Sequence, residues 1–355
     1  MEKILSIVIP TYNAEKFLDK GLTSFIMKDE KLLSELEVIV VNDGTPDKSV
    51  EVAQKYVDMH PDVFRIVNKK NGGHGSAINE GVKRVTGKYF KVIDADDWVD
   101  TEALERTMKI LETEEFDAMI QSFRTYDISQ EPAKIEPWDI KYPESLPREN
   151  KIYTLIELMD NWWEVQGSMT FHGVLYNTEF YKKQNYELIE HVYYEDQEYA
   201  TIPLCWAEKI RLYDDELYVY RIGDVNQSIS VANLYKRLPD FEAVMFRMME
   251  FDKVVDKCPA GGYEYWMKKV AKFVGDTYQL TLVRCEDKKK YRKFCKELTN
   301  KIKAESPRMY GGIKNKYRAF KILNAMHMSE ETYQTKFMDF LAWTRKHLGV
   351  EKLHG

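Results

Sequence analysis

Cysteine is scarce, proline is sparse, and no long apolar run occurs anywhere in the 355 residues. The four cysteines, Cys205, Cys258, Cys285 and Cys295, form no C-x-x-C pair and no metal-ligand spacing. That excludes a disulfide-stapled scaffold and a zinc module, and it suits small buried side chains in a reducing compartment. No stretch approaches the roughly 18 apolar residues a membrane helix needs. The N-terminal strand-like run, broken at Pro10, is too short and wrongly flanked for a signal peptide. The expectation is a cytoplasmic protein, neither exported nor membrane-spanning. No G-x-G-x-x-G follows the first strand-like run, which argues against a Rossmann dehydrogenase. Low-complexity tracts and repeats are missing too, and with 44% hydrophobic residues the chain has ample material for a buried core rather than disorder. Its length allows two domains.

Net charge is −6, but it is unevenly spread. From Glu264 onward there are 21 Lys and Arg against 10 Asp and Glu, an excess of +11, which leaves −17 on residues 1–263. Solvated helix faces are the default account of such a basic third. The alternatives are a face for an anionic membrane surface, which would place the protein at the inner side of the cell membrane, or for an anionic acceptor polymer. A homo-oligomer contact through these helices, with Trp343 among its aromatics, is a further expectation. No recognised nucleic-acid motif accompanies the charge, so no nucleic-acid partner is expected.

What is present is an alternation. "ILSIVIP" (4–10), "EVIVVND" (37–43), "FRIVNK" (64–69) and "YFKVID" (89–94) are rich in Val and Ile, while 14–28, 46–58, 75–86 and 101–114 carry helical periodicity. Thr45-Pro46 reads as an N-cap followed by Pro at the first helical position, and Thr101 stands before another helix. Four strand–helix units in a row predict an α/β fold with a mostly parallel sheet, in which ligands bind beyond the carboxyl ends of the strands. The polar residues fall at that edge: "PTYN" (10–13), "NDGT" (42–45), "NGGHGS" (71–76) and "DADD" (94–97). From about 120 to 232 the pattern is irregular, with residues 130–150, containing Pro132, Pro137, Pro143 and Pro147, reading as a long loop. Beyond 233 the spacing is wholly helical, with segments near 240–256, 263–284, 287–304, 314–327 and 330–347. The division predicted is a domain over 1–232, with halves 1–115 and 116–232, followed by a helical region over 233–355.

The blocks "SIVIPTYNAEKFL", "VIVVNDGT", "NGGHGSAINEG", "VIDADDWV" and "YEDQEYA", in that order and spacing, resemble a bacterial family-2 glycosyltransferase of the GT-A fold over residues 4 to about 230. The resemblance implies a metal-dependent, inverting hexosyl transfer from a nucleotide diphosphate sugar, with UDP as the nucleotide. The acceptor it implies is a cell-surface polysaccharide, a teichoic-acid-like polymer or a lipid-linked glycan.

Three aspartates within four positions repel one another unless a cation sits among them. Hard, all-oxygen ligation suits Mn²⁺ or Mg²⁺ rather than zinc. By resemblance Asp96 and Asp94 are the metal ligands, with Asp94 also facing the nucleoside, while Asp97 braces the loop or meets the donor sugar. Tyr12 stacks the base and Asp43 accepts from a pyrimidine N–H. Pro10, Asn71, Gly73, His74 and Ala95 complete the nucleotide-sugar side, and Arg221 with Gln227, Ser228 and Ser230 resembles a segment that closes on the diphosphate. The commoner family pattern has an arginine where this chain has Ile78, so His74 or Lys70 is the expected substitute cation. The catalytic pair is "ED": Asp196 as general base, Glu195 as its supporting neighbour, against the plain alternative of two exposed acids at a helix start. Trp138, Trp162, Trp163 and His172 are candidates for stacking an acceptor sugar, or are simply core. Two rivals remain. A sugar nucleotidyltransferase would need an N-terminal Gly-rich loop ending in Arg, which "PTYNAEKF" does not supply; a catalytically silent carbohydrate-binding or scaffold protein would not need Asp96 and Asp196.

Overall fold

Val and Ile crowd the N-terminal runs, and their branched side chains favour extended backbone that packs on both faces. In the computed structural model, which describes residues 2–140, 146, 152–224, 231–285, 287–333 and 335, these runs are strands β1 (Leu5–Thr11), β2 (Leu36–Asn42), β3 (Phe64–Asn68) and β4 (Tyr89–Val92). Every residue of β1 is buried. β1 pairs in parallel with β2 and β4, and β2 pairs in parallel with β3. The remaining strands are β5 (Trp98–Val99), β6 (Ala118–Asp127), β7 (Lys134–Trp138), β8 (Ile152–Tyr153), β9 (Val174–Asn177) and β10 (Ile210–Ile222). They complete one sheet of order β3-β2-β1-β4-β9-β6-β10-β5, with β7 on β6 and β8 on β10. β9 runs antiparallel to β4 and β6, while β10 runs parallel to β6. The buried Lys91 of β4 reinforces this junction: its Nζ donates to the carbonyls of His172 (2.7 Å) and Val174 (3.0 Å), and burial pushes its pKa down to about 7.

Several local expectations change. The helix predicted over 46–58 spans Ser49–Met59 and lacks the Thr45 cap. Thr45 Oγ1 instead accepts from the Asn13 amide at 2.8 Å and donates to Asp47, tying the loop after β1 to the loop after β2. Asp100, not Thr101, caps the helix Thr101–Thr113, accepting from the Ala103 amide at 3.0 Å. The 14–28 segment is a turn followed by only Leu18–Thr23. The loop expected over 130–150 contains β7, an exposed edge strand whose Pro137 costs no ladder bond at the rim; Pro143 and Pro147 lie outside the described residues.

The chain forms two compact units, one of Met1–Asp240 with Pro259–Gly262, the other of Phe241–Cys258 with the chain from Tyr263 onward. The second is helical, built on Gly262–Gln279, Lys288–Glu305 and Pro307–Ala325. The helix Pro307–Ala325 starts sharply because Ser306 accepts from the Met309 amide and Pro307 occupies the first turn. Buried Trp266, Tyr278, Leu298 and Ile313 line its core. No described helix is long and apolar enough to cross a membrane. Trp343 lies outside the described residues.

Candidate functional site at the carboxyl edge

β1, β2, β3 and β4 end at one rim, and the loops that leave them carry the polar blocks. Asp43, just past β2, is 2% exposed. Its Oδ1 accepts from Lys69 Nζ (2.7 Å) and the Gly72 amide (2.9 Å), and its Oδ2 from the Gly73 amide (2.8 Å). A carboxylate has about four lone-pair positions, so about one remains for a ligand N–H. Asn71 donates to the Asp43 carbonyl at 2.9 Å, closing the loop. Gly73 sits at φ 87°, and a Cβ there would come within 3.2 Å of the His191 amide nitrogen, which explains why glycine stands at this close approach. Tyr12 projects from the end of β1, 50% exposed. Pro10 is buried within β1 opposite Val41, two residues before Tyr12.

The "DADD" turn separates its carboxylates by burial. Asp94 and Asp96 are half-exposed, whereas Asp97 is 1% exposed. Tyr218 of β10 accepts from the Asp94 amide and donates to Asp97 Oδ2 at 2.6 Å, and the Arg221 amide donates to Asp97 Oδ1 at 2.7 Å. Both Asp97 oxygens thus meet protein donors from β10. Burial and the fields of Asp96 and Asp94 raise its pKa well above the usual carboxylate range. Arg221 lies 3.8 Å from Asp96, pairs with Asp224 at 3.0 Å and rests over the Phe17 ring. Its expected companions Gln227, Ser228 and Ser230 lie outside the described residues. Ala95 is half-buried within the same turn.

Across the rim, the helix Asp196–Tyr199 begins with the second acid of "YED". Neither acid is an ordinary exposed helix-start carboxylate. Glu195 is 2% exposed and accepts from His74 Nδ1 at 2.5 Å; His74 Nε2 lies 2.8 Å from Asp94 Oδ1. Burial disfavours the charged His74 ring, but Asp94 and Glu195 outweigh it and raise its pKa well above 6.5. Asp196 is half-buried and accepts from the Gln197 amide group at 3.1 Å. Burial first, then the charges of Glu195 and Asp94, push its pKa up to about 6.

The aromatic candidates divide. Trp162 is core at 6% exposure, whereas Trp163 and Trp138 are about half exposed, Trp138 lying parallel to Phe123 with centroids 5.7 Å apart. His172 is stacked on Tyr220 at 4.0 Å and edged by Tyr218, so its faces are not open to a sugar. Burial lowers its pKa to about 4, leaving a neutral imidazole. Ligand atoms of Asp94, Asp97 and His172 lie within 4.8 Å of one another. Burial first, then neighbouring carboxylates, raise the proton affinity of Asp97 and Asp196, while at Asp94 burial is outweighed by His74, which lowers it; a hard divalent cation fits such a cluster of carboxylate oxygens. Asp97 already spends both oxygens on protein donors and Asp94 spends Oδ1 on His74, yet Asp94 and Asp96 remain the less buried carboxylates of the turn.

Four contributors have no role that the sequence patterns single out: Lys69, Tyr218, Asn79 and Glu198, the last two inside the quoted blocks. Lys69, not the exposed Lys70, is the cation at Asp43. Asn79 exchanges two 2.9 Å bonds with the backbone of Leu188, and buried Glu198 accepts from the Ile189 amide, so both hold the segment that leads into "YED". The available signal was polarity on an otherwise buried face, as with Asn79 beside the fully buried Ile78.

Comparison with known proteins follows the same blocks. The family described as Glycosyl transferase family 2 matches residues 6–184. The uncharacterized glycosyltransferase EpsJ of Bacillus subtilis (strain 168) is 28% identical over 225 residues, spanning 62% of each chain. Glycosyltransferase GlyA of Streptococcus pneumoniae serotype 4 is 26% identical over 226 residues, 61% of this chain but 30% of its own length. The match thus spans less than two thirds of either relative. Among solved structures, S. aureus TarS 1-349 in complex with UDP-GlcNAc superposes with a TM-score of 0.63 at 16% identity, covering 92% of both chains. That likeness is one of fold, and with it the curled, mostly parallel sheet is GT-A.

Proposed function

The chain belongs to glycosyl transferase family 2, and on that premise we propose that it is an inverting glycosyltransferase that moves a hexose from a UDP-sugar to a glycan acceptor. The observation that supports this reading best is the pairing of two accessible carboxylates, Asp94 and Asp96, with a third, Asp196, whose pKa of about 6 suits proton abstraction near neutrality. Exposed Tyr12 offers a face for the base, and Asp43 keeps a lone pair for a ring N–H. UDP is the nucleotide in the ligand of the TarS complex.

In this mechanism Asp196 takes the proton of the acceptor hydroxyl as that oxygen attacks the anomeric carbon. The new C–O bond forms opposite the diphosphate while the anomeric C–O bond to phosphate breaks, its electron pair leaving on the diphosphate. A single displacement inverts the centre. Asp94 and Asp96 would hold a Mn²⁺ or Mg²⁺ ion, which would supply charge neutralisation for the departing diphosphate. Arg221, beside Asp96, adds a further positive charge at that end. For the acceptor we propose an anionic cell-envelope polymer or a lipid-linked glycan, supported by the +11 balance beyond Glu264. The same charge supports a peripheral contact with anionic lipid.

The test is a thermal-shift and donor-hydrolysis screen of nucleotide sugars with and without Mn²⁺, since a ligand of the folded state raises its melting temperature. A UDP-sugar should raise it only with the metal, and EDTA should reverse the gain. No shift and no hydrolysis with any nucleotide sugar would remove the reading and leave the silent binding protein. A protonated Asp196 cannot accept a proton, so turnover should rise with pH through about 6 and be lost below it. Turnover independent of pH down to 5 would assign the base elsewhere.

A further inference from the structure

His74 opens the helix His74–Arg84, where the sequence pattern makes it a substitute for the missing arginine at 78. The geometry uses it differently. Both ring nitrogens point at carboxylates, Nδ1 at Glu195 and Nε2 at Asp94, leaving neither free for a phosphate. The two acids come from separate elements, one from the turn after β4 and one from the residue before the helix that presents Asp196. The surrounding backbone is shaped to let this contact form: a Cβ on Gly75 would fall 2.5 Å from the Ile189 carbonyl and 2.9 Å from Glu195 Cγ, and the His191 amide donates to the Gly72 carbonyl at 2.8 Å.

We propose that His74 is a positioning residue, a strap that ties donor-side Asp94 to Glu195 and thereby holds Asp196 where the acceptor hydroxyl arrives. Charge-assisted bonds from one ring to two carboxylates are short and directional, so the ring holds Glu195 to a turn that Tyr218 already anchors through the Asp94 amide. The inference rests on the transferase reading, which makes Asp196 the base.

The test uses the full chain with His74→Gln, Glu195→Gln and the double variant. Melting temperatures without ligand measure the strap itself: the two losses should be non-additive, and additive losses would overturn the contact even if no donor were ever found. With a UDP-sugar and Mn²⁺, His74→Gln should lower kcat roughly tenfold or more while donor affinity stays within about threefold, and the double variant should be no slower than the slower single one. Removing the ring charge leaves Asp196 facing Asp94 and Glu195 uncompensated, so the acid limb of kcat should move to higher pH. Weaker donor binding with unchanged kcat would make His74 a donor ligand and sink the proposal. A lower melting temperature with normal kcat and an unmoved limb would make it merely structural. If wild type neither binds nor consumes a nucleotide sugar, the transferase reading fails separately, and the melting cycle still decides the strap. Should His74→Gln not fold, Glu195→Gln carries the same kinetic expectation.

Discussion

Asp196→Asn should lower the transfer rate by roughly 10² or more while changing donor affinity little, the signature of a group that acts only in the transition state. The substitution keeps the side chain's shape and its neighbour Gln197 but removes the proton acceptor. Donor affinity should hold because Tyr12, Asp43, Asp94 and Asp96 stand at the ends of β1, β2 and β4, on other elements from the helix that begins at Asp196. Loss of one negative charge near the rim could only ease entry of a diphosphate. Single-turnover rates beside calorimetric donor titrations would separate the two effects. Glu195→Gln should cost less, since Glu195 acts through His74 and through its neighbour rather than on the acceptor. Near-normal transfer in the Asp196 variant with loss in the Glu195 variant would exchange their roles; full activity in both would leave the inverting mechanism without a base.

The second large effect belongs to Asp96→Ala. Asp96 is the carboxylate of the "DADD" turn with the most accessible oxygens, its side chain 36% exposed and 3.8 Å from Arg221. Its removal should abolish the Mn²⁺-dependent part of UDP-sugar binding without unfolding the protein, since its side chain is only partly buried. By contrast Asp97→Ala should destabilise the fold, because it strands the Tyr218 hydroxyl and the Arg221 amide in a buried setting, a loss of about 1–3 kcal/mol for each orphaned group. Calorimetry with and without EDTA checks the first, and thermal melts the second. Metal dependence unchanged in Asp96→Ala would move the cation to the Asp94, Asp97 and His172 group.

Much of this molecule is written locally. The strands β1 to β4 follow from runs of Val and Ile, and the order of strand, polar block and helix is enough to bring Tyr12, Asp43, Asn71 and Asp94 to one edge, because parallel connections oblige successive strands to end on the same side. Chain order also pairs "DADD" with "YED" through the family resemblance. Burial was beyond its reach. Asp94, Asp96 and Asp97 look alike in a string of letters, yet only the third meets Tyr218 and Arg221, which arrive on β10 more than a hundred residues later. The cap expected at Thr45 gives way to a tertiary bond, its hydroxyl accepting from the Asn13 amide, whereas at Thr101 another local signal stands one residue earlier, Asp100 accepting from the Ala103 amide.

The sequence by itself determined the family, the parallel α/β layout and which acids lie at the rim, since periodicity and short-range motifs are properties of neighbouring residues. Only the tertiary structure decided what surrounds each acid there. His74 binds Asp94 across 20 positions and Glu195 across 121, and the pKa of about 6 at Asp196 arises from burial and from the charges of Glu195 and Asp94. Proton affinity depends on distance and desolvation in space, and neither quantity exists until the chain has brought those carboxylates together.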